Sequence, residues 1–258
     1  MDRLNLIATP WQQRLKEVSH NLVGASRAVT AAMVVSLASG IEAAEEVVRF
    51  RGDAYDLATG RFVYSENHSE YHKAGVHLYS RVSYRDSSGK EFASKLITFQ
   101  PHKMQPTYEL RDTRDGYVEG IRREGGQTVY YARRKADQPL QSKAIATPAP
   151  AVFDAGFDYF VRENFDRICS GKNLAFYFAV PIELDYFRFR VAMQESGEIC
   201  RMNLELDNFI LRQLVKPIRL WYDTKDRRLR KYEGISNING PDGKSLKVRV
   251  VFTYPGKS

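Results

Sequence analysis

The sequence predicts a mainly β protein of the α+β class with one principal helix, on three observations. Tyr (15) and Phe (14) far outnumber Trp (2) among the 258 residues, and that aromatic weight favours strands. Short runs alternate apolar and polar side chains with a period of two. Turn pairs punctuate those runs: Thr59-Gly60, Ser88-Gly89, Asp115-Gly116, Gly125-Gly126, Ser196-Gly197 and Asp242-Gly243. Together they describe a meander of about ten antiparallel strands. Hydrophobic residues at 43% and charged residues at 27% exclude wholesale disorder, a collagen-like fibre and a polytopic membrane protein.

Residues 1–43 read as a signal peptide. Arg3, Arg14, Lys16 and Arg27 form a basic region, residues 28–38 carry no charge, and small residues follow at Ala38, Ser39, Gly40, Ala43 and Ala44. That order fits export and cleavage after Gly40 or Ala43. The uncharged run is shorter than the roughly 20 residues a membrane span needs. The competing readings are an amphipathic N-terminal helix and an anchor that is never cleaved. Residues 44–258 then form a single β-rich domain. The net charge is +8, and removing residues 1–43, with four basic and three acidic side chains, leaves +7. Export argues against a nucleic-acid partner. The mild basic excess suits anionic lipid head groups or is simply a solvated face.

The strands follow in order. Runs at 62–72, 76–84 and 91–99 alternate, and 76–84 puts Val76, Leu78, Ser80, Val82 and Tyr84 on one face. Shorter runs lie at 108–112, 117–122 and 128–133. Pro139, Pro148 and Pro150 mark 136–150 as a connection. A helix near 153–169 is predicted next, because Phe153, Phe157, Phe160, Val161, Phe165 and Ile168 recur at three- and four-residue steps. Asp154 and Asp158 lie toward its start, and Gly171 follows its end. Strands return at 174–180, 187–191, 200–206, 218–222, 229–233 and 246–254. Residues 208–215 fit either a strand or a short helix, and 221–229 reads as a hairpin turn. Cys169 and Cys200 are the only cysteines. An oxidising compartment invites a bridge between them, while two buried thiols are the other reading.

These features carry a resemblance. An exported single domain of this type, with the stretch ILRQLVKPIRLWYDTKDRRLRKYEG before a terminal strand, resembles the LolA/LolB-like lipoprotein-carrier superfamily. The stretches RFVYSENHSEYH and SYRDSSGKEFASKLITF resemble uncharacterised exported proteins of Gram-negative bacteria. The resemblance implies a curved, incompletely closed half-barrel sheet wrapping one helix, a periplasmic location, and an internal cavity for a lipid or other amphiphile. The protein is then a monomeric, non-enzymatic binding or carrier protein, with contact to a membrane surface or an envelope protein.

Two sets of candidate site residues follow. The ligand set is Phe153, Phe157, Phe160, Phe165, Phe176 and Phe178, which either fill the core or line a cavity, with Arg188 and Arg190 for an anionic head group. The two arginines serve a ligand only from the inner wall. The second set is Glu66, His68, Glu70 and His72, which share one face of a strand. His and carboxylate side chains are ligands for zinc and similar divalent metals. This face predicts, as an alternative function, a metal-binding or metal-dependent hydrolytic protein; otherwise no cofactor is implied. His77, Tyr79 and Arg81 are placed together on the neighbouring strand. A strand spreads alternate residues ~6.7 Å apart, so four cannot reach one ion. Lys95, among Phe92, Leu96 and Ile97, predicts pairing with a carboxylate across the sheet. Neither a nucleophile elbow, a phosphate-binding loop, CxxC nor HExxH occurs, so no such motif supports an enzyme, and the metal-dependent alternative stays open. A third reading is a structural or interaction module of an envelope complex.

Overall fold

A computed structural model describes residues 45–256; the expected signal peptide lies outside the described residues. Among the described residues the chain forms fifteen strands and three short α-helices. The first eight strands are β1 (Glu45–Asp56), β2 (Phe62–Lys73), β3 (Val76–Arg85), β4 (Glu91–Thr98), β5 (Thr107–Asp112), β6 (Val118–Glu124), β7 (Gln127–Arg133) and β8 (Gln141–Ala144). A short β9 (Ala151–Val152) leads into α1 (Gly156–Glu163) and α2 (Phe165–Cys169). Then come β10 (Leu174–Val180), β11 (Asp185–Glu195), β12 (Ile199–Leu206), α3 (Phe209–Leu214), β13 (Ile218–Asp223), β14 (Leu229–Asn239) and β15 (Ser245–Thr253).

All fifteen strands join one sheet in the order β8-β7-β6-β5-β4-β3-β2-β1-β15-β14-β13-β12-β11-β10-β9. Every pairing is antiparallel except β9 with β10. The first and last long strands meet in the middle, where β1 pairs β15 from Arg51↔Thr253 to Asp56↔Val248. The sheet is therefore two meanders sewn together at their termini, and it stays open because β8 and β9 are its two edges. Strong curl brings the halves toward each other. The 3-10 turn Pro181–Glu183 packs on β6 and β7, and Arg134 reaches Glu183 at 2.8 Å. Beyond a register break after Ile235, the end of β14 crosses the concave side, so Asn237 meets Glu119 of β6 and Arg114 donates to the Asn239 carbonyl.

The expectation of about ten strands, twelve when the runs are counted singly, becomes fifteen, and the three added strands have local reasons. Residues 45–61 carried no assignment, yet β1 is twelve residues long. Its charged Glu45, Arg49, Arg51 and Asp53 and its Gly52 hide the period-two pattern. Gly52 is needed there, since a Cβ would lie 2.8 Å from Phe252 and Val250 side-chain atoms. β8 is fully exposed and β9 has two residues, so neither has a hydropathy signature. The single expected helix is two, broken at Asn164, which serves as C-cap of α1 and N-cap of α2. Residues 208–215 resolve as the helix α3.

Two clusters fill the interior. One gathers Tyr64, Tyr84, Phe92, Ile97, Tyr108 and Leu110 from the first meander with Phe153, Ile238 and Val248. The other joins Phe160, Val161, Phe165 and Ile168 of the helices to Phe176, Val191, Met202 and Tyr222 of the second meander. A disulfide, Cys169–Cys200, ties α2 to β12. Helix α1 bridges the two halves. Its Phe160 packs at a tilt on Phe176 (centroids 4.7 Å), while Tyr159 meets Phe99 edge-on at 5.3 Å. No helix among the described residues is long and apolar enough to cross a membrane.

Candidate binding cavity

The curled sheet and α1 leave a cavity of about 870 Å³. One strand sets its long axis. The inward face of β2 presents Tyr64, Glu66, His68, Glu70 and His72 to the cavity, and at ~6.7 Å per two residues they span about 27 Å. Valines 82, 248 and 250, with Ile97, Phe157 and Phe252, supply apolar wall. Its polar groups form two sets, one around Lys95 and one at the β2–β3 turn.

Across the sheet from the Glu66–His68 stretch, since Val82 pairs both His68 and Lys95, Lys95 Nζ donates to Asp154 Oδ1 at 2.8 Å, and each side chain is only 10% exposed. The expected partner for Lys95 thus exists, but it comes from the segment before α1 rather than from the sheet. Asp154 adopts a left-handed backbone (φ 39°) and leaves its Oδ2 buried without a hydrogen-bond partner among the described residues. Burial alone would lower the pKa of the Lys95 ammonium; Asp154, Glu119 and Glu66 outweigh that and raise it. Burial pushes the Glu119 carboxyl up to about 7, against the pull of Lys95. Asn237 Nδ2 donates to Glu119 Oε1 at 3.0 Å. Tyr64, Tyr84 and Tyr108 surround this set as buried phenols whose ionisation burial disfavours.

The middle of β2 is aromatic. His68 stacks on Phe50 (centroids 4.3 Å) and lies edge-on to Phe252, while its Nε2 sits 3.1 Å from Glu66 Oε2.

At the β2–β3 turn, His72 stacks on His77 of β3 with centroids 4.5 Å apart and rings 13° from parallel. His77 was expected beside Tyr79 and Arg81. A register shift overturns that: Tyr71 pairs Tyr79, but the next residue His72 pairs His77, so Leu78 is bulged out. The bulge rotates His77 onto the face of Ser80 and Val82 and buries it to 5% exposure. His77 Nδ1 lies 2.7 Å from the Tyr159 hydroxyl, and its Nε2 lies 2.8 Å from Ser80 Oγ. Burial, with a smaller push from the facing His72, pulls its pKa down to about 4. Burial and then Asp158 raise Glu70. Asp158 is itself raised by burial, and it accepts from Tyr222 at 3.1 Å and Arg162 at 3.3 Å.

The expected site residues divide accordingly. Phe157 and Phe178 line the cavity; Phe153, Phe160, Phe165 and Phe176 do not, being 6% exposed or less in the core. Arg188 and Arg190 stand away from the cavity because Phe189, between them, points into it. They pair instead with Asp207 and Glu205, each near 2.8 Å. Glu66, His68, Glu70 and His72 all face inward, but only Glu70 and His72 approach a third ligand-type residue, His77. Sequence reasoning missed Asp154 as the partner of Lys95 and the part played by Tyr159, and it set His77 on the wrong face. The one available signal was a lysine set among apolar neighbours.

The fold and site define an open, strongly curved antiparallel sheet with an amphipathic interior cavity. No protein-family model matches the chain, and neither a curated protein nor a solved structure matches it.

Proposed function

We propose that the protein is a non-enzymatic binding or carrier protein for a lipid or other amphiphile, working in the periplasm. The carrying observation is the cavity itself. Its volume of about 870 Å³ lies within the range of small-molecule sites, and its wall combines apolar side chains with a few buried polar groups. Each methylene moved from water onto that wall is worth about 0.8 kcal/mol. Specificity falls to the polar set of Lys95, Asp154 and Glu119. The free Asp154 Oδ2 calls for a hydrogen-bond donor, and Lys95 retains donors for an oxygen. A hydroxyl or carboxylic acid head meets both needs. An open curved sheet around a cavity is the architecture of LolA/LolB-like carriers, and the proposal groups the chain with them on architecture alone.

The accompanying membrane-surface contact is best supported at α3. Phe209, Ile210 and Val215 are 67%, 71% and 52% exposed, and Lys216 follows them. Monomeric action fits a ligand site built from one chain.

Titration with a pyrene-labelled fatty acid tests the reading. Saturable one-to-one uptake by the wild type, at least 10-fold weaker in a Val82→Phe variant that narrows the cavity, supports it. No uptake by the folded wild type, or equal uptake by both proteins, refutes it.

A further inference from the structure

We infer that Glu70, His72 and His77 form a site for a divalent transition metal of zinc's class at the end of the cavity away from Lys95. One ligand atom from each lies within 4.8 Å of the other two. Two imidazoles and one carboxylate are a set that zinc accepts, with a further position left open. Tetrahedral zinc needs ligand atoms about 3.3–3.5 Å apart, so closing the set requires small side-chain rotations only.

Two further observations point to an ion rather than to a satisfied polar core. First, His72 Nε2 is buried and lacks a hydrogen-bond partner among the described residues, although Glu70 Oε2 stands 3.5 Å away. A buried ring nitrogen in that state carries a desolvation cost that a shared cation removes. Second, His77 reaches the site through the Leu78 bulge, and bulges commonly re-aim side chains beside functional sites. The tight turn before it, with positive φ at Ala74 and Gly75, fixes the β2–β3 pairing that sets His72 against His77. His77 itself is held by two hydroxyls, Ser80 on β3 and Tyr159 on α1, one of which an ion must displace. One ring nitrogen exchanges its hydroxyl for the ion, while the other keeps its partner and fixes the ring's tautomer and orientation.

Glu66 and His68 are not part of the set. They pair with each other, and His68 is committed to its stack on Phe50. Arg162 and Lys103 bring positive charge toward His77, but Asp158 holds Arg162, and Glu70 supplies the balancing anion within the set. Glu70, His72, His77 and Tyr159 all border the cavity, so the open coordination position faces its interior. The site stands whether or not an amphiphile occupies the cavity.

The experiment is calorimetric titration of the chelator-treated full chain with Zn²⁺ at neutral pH, repeated with Co²⁺ in the visible spectrum. The expected result is one ion per chain and a cobalt absorption of four- or five-coordinate nitrogen and oxygen ligation. Affinity should fall on the order of 100-fold or more in His77→Gln and in Glu70→Gln, and hold in His68→Gln. Glu70 is partly exposed, so its variant guards against loss through misfolding; circular dichroism confirms the fold of each. Absence of stoichiometric binding by the wild type overturns the inference. So does undiminished binding by folded Glu70→Gln, or an equal loss in His68→Gln.

Discussion

Lys95 and Asp154, 59 residues apart, meet at 2.8 Å in the interior, with neither side chain more than 10% exposed. This contact ties the middle of β4 to the segment that launches α1. It pins the helix over the concave sheet and gives the cavity a buried charged pair. Removing one partner leaves the other buried and uncompensated, which costs about 3–5 kcal/mol. Lys95→Met and Asp154→Asn should each lower the urea midpoint strongly. The double variant should cost clearly less than the sum of the two. Strict additivity in the double-mutant cycle would contradict the contact.

Glu119 predicts a pH dependence. It faces Lys95, Asp154, Tyr117 and Asn237. Its folded pKa is about 7 against an ordinary 4.5, so the folded state favours the protonated carboxyl. Its contribution to stability is fully present below about pH 4.5 and is lost as pH rises to about 7. Glu119→Gln cannot lose it. The variant should therefore gain stability relative to wild type between pH 4.5 and 7, with denaturation followed at four pH values. A stability difference that stays flat across the window would refute this.

Much of this architecture was legible in residues and spacing, and what was not has physical causes. The six turn pairs fall between strands as expected, and Cys169 pairs with Cys200 across 31 residues. The β1 strand was hidden because its partner contacts demand Gly52 and its outer face is charged. His77 was misplaced because a bulge adds one residue without altering hydropathy, and the side chains ahead of it change face relative to Ser80, Val82 and Tyr84 beyond it. Asp154 was invisible as the partner of Lys95 because the pairing depends on how α1 crosses the sheet, a tertiary property. Glu66, His68, Glu70 and His72 were correctly grouped on one face by alternation alone, but alternation cannot tell an inner face from an outer one.

The disulfide should matter for stability. It joins α2 to β12 where Cys200 is fully buried. Replacing both cysteines with alanine should cost about 2–4 kcal/mol. For a domain of this size that lowers Tm by roughly 2–4 °C per kcal/mol. Calorimetry of the double variant checks it, and an unchanged Tm would contradict it.

Helix α3 should act at a surface rather than in the core. Phe209→Ser with Ile210→Ser removes two exposed apolar side chains, so stability should change by no more than about 0.5 kcal/mol per site. Transfer of a pyrene-labelled fatty acid to vesicles containing anionic lipid should slow several-fold. Unchanged transfer would remove α3 as the membrane contact.

The central claim is that the cavity holds an amphiphile. Native mass spectrometry of the full chain, produced with its own N-terminus in a bacterial host and purified from the periplasm without detergent, tests it most directly. One lipid-sized adduct per chain is expected, released by organic extraction and restored by added fatty acid. A bare polypeptide mass that also takes up no added fatty acid would contradict it.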